Sequence, residues 1–170
     1  MPGDRQTNEK YYVIGYGERN KRQFLQTQFI PLIRQIDPAV THRWGKMNAQ
    51  QMIEHVSGFF RVSTNRLKFP LVTPADQLPK FYAFLMSEKE FRENTRAPVL
   101  PEEPLPLRYA TMDEAIADLE KQVNDFFNYF SDEPEKKTLH PVFGELNFEE
   151  WIQLHHKHVK HHLKQFGVEI

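Results

Sequence analysis

The chain has 170 residues, of which 39% are hydrophobic, with 14 Phe, 12 Pro, no Cys and a formal net charge of −1. That length suits a single domain, 1–170, with a sizeable core. The balanced charge without any Lys/Arg run removes the electrostatic basis for nucleic-acid binding. Without cysteine there are no disulfides, thiolate ligands or cysteine nucleophiles, so a metal ion would have to be held by histidine or carboxylate.

The opening MPGDRQTNEKYY has no apolar leader core, and nowhere do 18 apolar residues run together; the expectation is a cytoplasmic protein without a membrane partner. Leu25, Phe29, Leu32, Ile33 and Ile36 then fall on one face of a first helix. Pro31 interrupts it, so a kink or a fresh helical start is expected near Ile30. Asn48 with Gln51 three residues on forms the capping box of a second helix, which turns Met52, Val56, Phe59 and Ser63 inward and leaves His55 at the margin of that face. Glu54, one residue away, is read as facing solvent, with an outer-sphere carboxylate as the alternative.

The long stretch from Arg66 to Ala110 is rich in proline and carries one short helical candidate, Gln77 to Glu88. Its length suits a crossover running back along a four-helix bundle, leaving the second and third helices parallel, and its aromatic and proline content suits a lid over one end. The third helix opens on the capping box Thr111 and Glu114, presents Ile116, Leu119, Val123, Phe126, Phe127 and Phe130, and stops before Pro134. The fourth opens on Asn147 and Glu150, with Leu146 and Trp151 spaced as a hydrophobic staple and Gly167 as its stop. The expected class is therefore all-α.

The fourth helix carries LHHKHVKHHLKQFG, with five of the eight histidines. On a helical wheel Trp151, His155, His158, Val159, His162, Leu163 and Phe166 share the apolar arc. Glu149, Gln153, Lys157, Lys160 and Lys164 lie opposite, and His156 and His161 sit at the two boundaries. His158 and His162, four residues apart, can reach one ion, and burying imidazoles without partners is costly. A third ligand must come from another helix, and His55 is the best placed. The stretch HVKHH lacks the glutamate of a zinc-protease H-E-x-x-H, so that chemistry is disfavoured. His42 and His140 read first as turn residues, with closure over the site the alternative for His140, and Trp44 and Trp151 read as packing anchors.

With WGKMNAQQMIEHV on the second helix and HPVFGELNFEEWIQLHHKHVKHHLKQFG leading into the fourth, the chain resembles the DinB/YfiT-like superfamily of metal-dependent proteins. The resemblance implies an up-down-down-up four-helix bundle. It also implies a divalent ion held by one histidine of helix two and an H-x-x-x-H pair of helix four, which by position are His55, His158 and His162. HLKQ, His162 to Gln165, matches the family's His-Leu-x-Gln ending. His155 is an additional core-facing histidine, which leaves a shifted pair or a fourth ligand open.

A neutral three-histidine site leaves coordination for water or a substrate atom, so the ion would activate water or a small-molecule thiol. Hydrolysis and thiol transfer both stay open, and no catalytic residue is assigned. Zinc is the default metal, with nickel, iron and manganese also suited to imidazole. A metal-stabilised binding protein and an inert bundle with a vestigial site are the competing classes. A small-molecule substrate and a homodimer are the expected partners.

Overall fold

A computed structural model describes residues 20–170, so the N-terminal stretch on which the leader expectation rests lies outside the described residues. The first helix, α1, begins at 20–23, continues as a π-helical segment Phe24–Gln28 and resumes as α-helix over Phe29–Arg34. The wider turn has a local cause. Pro31 has no N–H to offer the carbonyl of Thr27 and its ring crowds that oxygen, and a π-turn immediately upstream moves the carbonyl aside. The register change is carried by Phe29 N–H donating to Phe24 O, and the α-helical restart falls next to the expected position.

Helix α2 spans Ala49–Ser63, α3 Leu78–Met86 after a 3₁₀ turn Ala75–Gln77, α4 Met112–Ser131 and α5 Phe148–Gln165. The capping boxes of α2, α4 and α5 all form, each with reciprocal bonds between the cap and its third residue. At the other end of α5, Gly167 is left-handed at φ +85, Val168 N–H donates to Leu163 O at 2.9 Å and Gly167 N–H to Lys164 O at 3.1 Å. These are the paired bonds of a Schellman stop.

The protein is mostly helical, and one element departs from the all-α expectation. Thr138–His140 (β1) and Gly144–Leu146 (β2) pair antiparallel immediately before α5. Strands of three residues are too short to show a period, and Gly144 at φ +84 takes the left-handed conformation with which the turn 141–143 enters β2. The hairpin is bound to both sides of the molecule. Thr138 Oγ1 donates to Ser63 O at 2.8 Å, while Val72 N–H donates to Pro141 O at 2.8 Å and Thr73 Oγ1 to Val142 O at 2.7 Å.

Leu25, Phe29 and Ile33 of α1, Met52, Val56 and Phe60 of α2, Leu119 and Phe126 of α4, and Trp151, Val159 and Leu163 of α5 meet in one buried cluster. Polar bonds from α2 and its C-terminal flank to α4 and the residues leading into it advance in the same chain direction. Gln50 Nε2 donates to Tyr109 O (2.9 Å), Arg61 pairs with Asp118 (2.6 Å) and Arg66, just beyond α2, with Asp125 (2.5 Å). Glu54 does not face solvent as a bystander. Its carboxylate accepts Arg108 N–H at 2.7 Å and Tyr109 N–H at 3.2 Å, pinning the crossover where it rejoins the bundle.

The wheel also misplaces Lys157, which is buried. Helix α3 and the turn after it cover the side of α5 that looked polar. The Lys157 ammonium donates to Ser87 O at 2.7 Å and to Lys89 O, and lies 4.8 Å from the Phe84 ring. Burial outweighs the nearby Glu88 and lowers its pKa from the ordinary lysine value. Among the described residues no helix is long and apolar enough to cross a membrane.

Candidate metal centre

Three of the expected residues meet. His55 of α2 and His158 and His162 of α5 direct their Nε2 atoms at one point. His55 Nε2 is 3.1 Å from His158 Nε2, His162 Nε2 is 3.1 Å from His158 Nε2, and all three ligand atoms lie within 4.8 Å of one another. The pair on α5 faces inward because four residues make just over one helical turn. His55 enters from the margin of its own helix, where it is half-buried.

The two rings on α5 are oriented differently. Gln165 Nε2 donates to Trp44 O at 2.9 Å, which fixes the amide and turns its Oε1 toward His162 Nδ1 at 2.8 Å. An amide oxygen can only accept, so Nδ1 carries the proton and Nε2 of His162 is left as a lone pair aimed at the centre. His158 is set by packing instead, stacked on Phe59 at 4.1 Å and 28°, with its Nδ1 buried and unpartnered among the described residues.

Burial holds all three imidazoles neutral. Desolvation, with a smaller contribution from His161, pushes His55 down to about 4, and burial with neighbouring histidines puts His158 and His162 well below the ordinary value. A neutral ring has one N–H, so protons alone satisfy this cluster poorly. If His158 Nε2 bears hydrogen, it cannot donate in line to both neighbours; if it does not, its lone pair faces that of His162. Two imidazole nitrogens on a tetrahedral ion at 2.0–2.1 Å stand about 3.3–3.4 Å apart, close to the contacts observed. The donor set thus fits a divalent cation.

The other histidines go elsewhere. Ser63 Oγ donates to Phe60 O at 2.7 Å, so it accepts from His155 Nε2–H at 2.9 Å. The same ring stacks on Phe60 at 3.8 Å and 8°, and on Trp151 at 5.4 Å. His155 is a core residue whose Nε2 is engaged by Ser63, and it lies outside the group of three converging nitrogens. His140 ends β1 and, as a turn residue, is buried beneath the turn it caps. Its Nδ1 accepts Val142 N–H at 3.0 Å and Phe143 N–H at 3.2 Å, and desolvation pushes it down to about 3. His42 packs edge-on against Phe166 at 6.4 Å, away from the three nitrogens. His156 and His161 are half-buried boundary residues, as the wheel placed them. Trp151 anchors the core and donates to Thr138 Oγ1 at 2.8 Å, whereas Trp44 is half-buried against His161 at 5.4 Å.

A family model described as the DinB superfamily matches residues 22–166. The chain belongs to the DinB superfamily. No curated protein and no solved structure matches it. The DinB match spans the three histidines, Gln165 and Trp44 together, so the elements that bring them into contact all lie within the matched segment. Gln165 was legible in the sequence only through its place in HLKQ. Its spacing of three from His162 was the available physical signal, since residues so spaced share a helix face.

Proposed function

We propose that His55, His158 and His162 hold one divalent cation through their Nε2 atoms, and that the protein is a metal-dependent enzyme acting on a small molecule, of hydrolase or thiol-transferase type. The observation that carries this reading is the convergence of the three nitrogens, with the lone pair of His162 committed inward by Gln165. Three neutral donors neither saturate such an ion nor cancel its charge, the condition that distinguishes catalytic sites from closed structural ones. When bound, the metal supplies Lewis acidity, lowering the pKa of a coordinated water or thiol toward neutrality.

The chain's own residues do the rest. His55, half-buried, is the least enclosed of the three, while buried His158 and His162 form the floor. Phe59 covers the His158 ring and excludes water from that flank. Zinc is the first choice, with nickel, iron and manganese also accepting imidazole. The reading includes the up-down-down-up bundle, supported by the same-direction contacts of α2 and α4, in one domain over 1–170. It includes a cytoplasmic location, as the sequence reading expects, and a homodimer, for which exposed Leu67, Leu71 and Val72 offer an apolar edge.

The near-complete burial of His158 and His162 favours a second reading, a metal-stabilised binding protein without turnover. The full chain, stripped by chelation and reloaded, separates the two when offered low-molecular-weight thiols with electrophilic acceptors, and esters and amides. Turnover that disappears on chelation, returns with metal and is missing from His158→Ala supports the enzyme. Metal uptake that raises Tm without any turnover supports the binder, and no uptake removes both.

A further inference from the structure

Gln165 is placed where only an amide serves. Its Oε1 accepts from His162 Nδ1 and its Nε2 donates to Trp44 O, and no other uncharged side chain of that length offers an acceptor and a donor together. A carboxylate could take the first bond but would confront the Trp44 carbonyl with a second oxygen. The loop that receives Gln165 is fitted to it. Gly45 has φ +83, and a Cβ there would stand 2.8 Å from Gln165 Nε2. In return, Arg43 N–H donates to the backbone oxygen of Gln165 at 2.8 Å, so the connection between α1 and α2 is fastened to the end of α5 from both sides.

We propose that Gln165, with the Trp44 carbonyl and the close approach allowed by Gly45, is a positioning relay that keeps His162 in its Nδ1–H form and thereby sets the cation affinity of the three-histidine cluster. The coupling to affinity rests on the proposed metal site; the tautomer does not. In water an imidazole favours the proton on Nε2, the form that cannot ligate through Nε2. The relay therefore selects the minor tautomer before any ion arrives, which removes a step that binding would otherwise have to drive. The relay also links the affinity of the cluster to a loop that touches no ligand directly.

The test uses the metal-free full chain labelled with ¹⁵N. Two-bond ¹H–¹⁵N correlation spectra read the tautomer of His162, and competition with a chromophoric chelator reads cobalt affinity. In the native chain His162 carries its proton on Nδ1. In Gln165→Met, close in volume but without acceptor or donor, the proton moves to Nε2 and cobalt affinity falls about 10–100-fold, the range of outer-sphere partners. Gly45→Ala shifts both readouts the same way. Gly167→Ala, strained alike at φ +85 but with nothing nearer than Arg43 at 3.7 Å, lowers stability and leaves the His162 tautomer intact.

Native His162 protonated on Nε2, or an unchanged tautomer in Gln165→Met, overturns the relay. A changed tautomer with undiminished cobalt affinity overturns its coupling to the metal. If the native chain binds no cobalt at all, the metal reading fails, while the tautomer result still decides what Gln165 does.

Discussion

His155 and His162 lie two turns apart on the same face of α5, both buried, with different partners. Around His155 the protein engages Nε2 with a serine hydroxyl and packs the ring among Phe59, Phe60, Phe126 and Trp151, leaving Nδ1 buried without a partner among the described residues. Around His162 the protein supplies a partner for Nδ1 and then only other imidazoles for Nε2. Burial is therefore a poor guide to which histidine is a ligand. The decisive question is which nitrogen each neighbour has already claimed, and the answer comes from hydroxyl and amide orientation one shell further out.

The contrast is broken most sharply at the proposed ligands. Replacing His158 or His162 by Ala should cost cobalt or zinc affinity by more than the about 10–100-fold typical of an outer-sphere partner. The same substitution at His155 should leave one ion per folded chain. Calorimetric titration of the chelated and reloaded proteins reads both. For stability the order reverses. His155→Ala removes a ring packed between aromatic neighbours and should destabilise the metal-free protein by about 2–5 kcal/mol in urea unfolding.

A smaller effect concerns the β1–β2 hairpin. Burial pushes the His140 imidazole down to about 3 in the folded protein, against an ordinary value of about 6.5 in the unfolded chain. A depressed folded value means that the unfolded chain takes up the proton first. The stabilisation is thus complete above about pH 6.5 and is lost as pH falls toward 3. His140→Asn, which keeps an acceptor and abolishes titration, should flatten the pH dependence of metal-free stability by up to about 1.4 kcal/mol per unit in that window. Thr138→Val leaves the Trp151 indole N–H buried without its acceptor and should cost about 1–3 kcal/mol, with metal affinity unchanged. Smallest is Thr111→Ala at the start of α4, remote from both histidine groups, at about 1 kcal/mol.

How much of this was legible in the sequence depends on how far apart the cooperating residues lie. The capping boxes at Asn48, Thr111 and Asn147 each operate over three residues, and all were read correctly. The His158 and His162 pair is local in the same sense, and His55 could be named because it stood on a well-marked helix. What could not be read was what each surface would meet. Lys157 looked exposed because a wheel assigns one buried arc, while the crossover helix α3 created a second contact on the opposite flank. Ser63 could be placed facing inward, but nothing in its neighbourhood says that it will engage His155. The β1–β2 hairpin escaped because three-residue strands carry no detectable alternation.

X-ray absorption fine structure on the zinc-loaded full chain, recorded beside zinc-loaded His155→Ala, tests the division between the two groups of histidines most directly. We expect about three imidazole nitrogens at 2.0–2.1 Å, together with a non-protein oxygen, and the same first shell in both proteins. A first shell without multiple imidazoles, or one that loses a nitrogen when His155 is removed, would contradict the assignment.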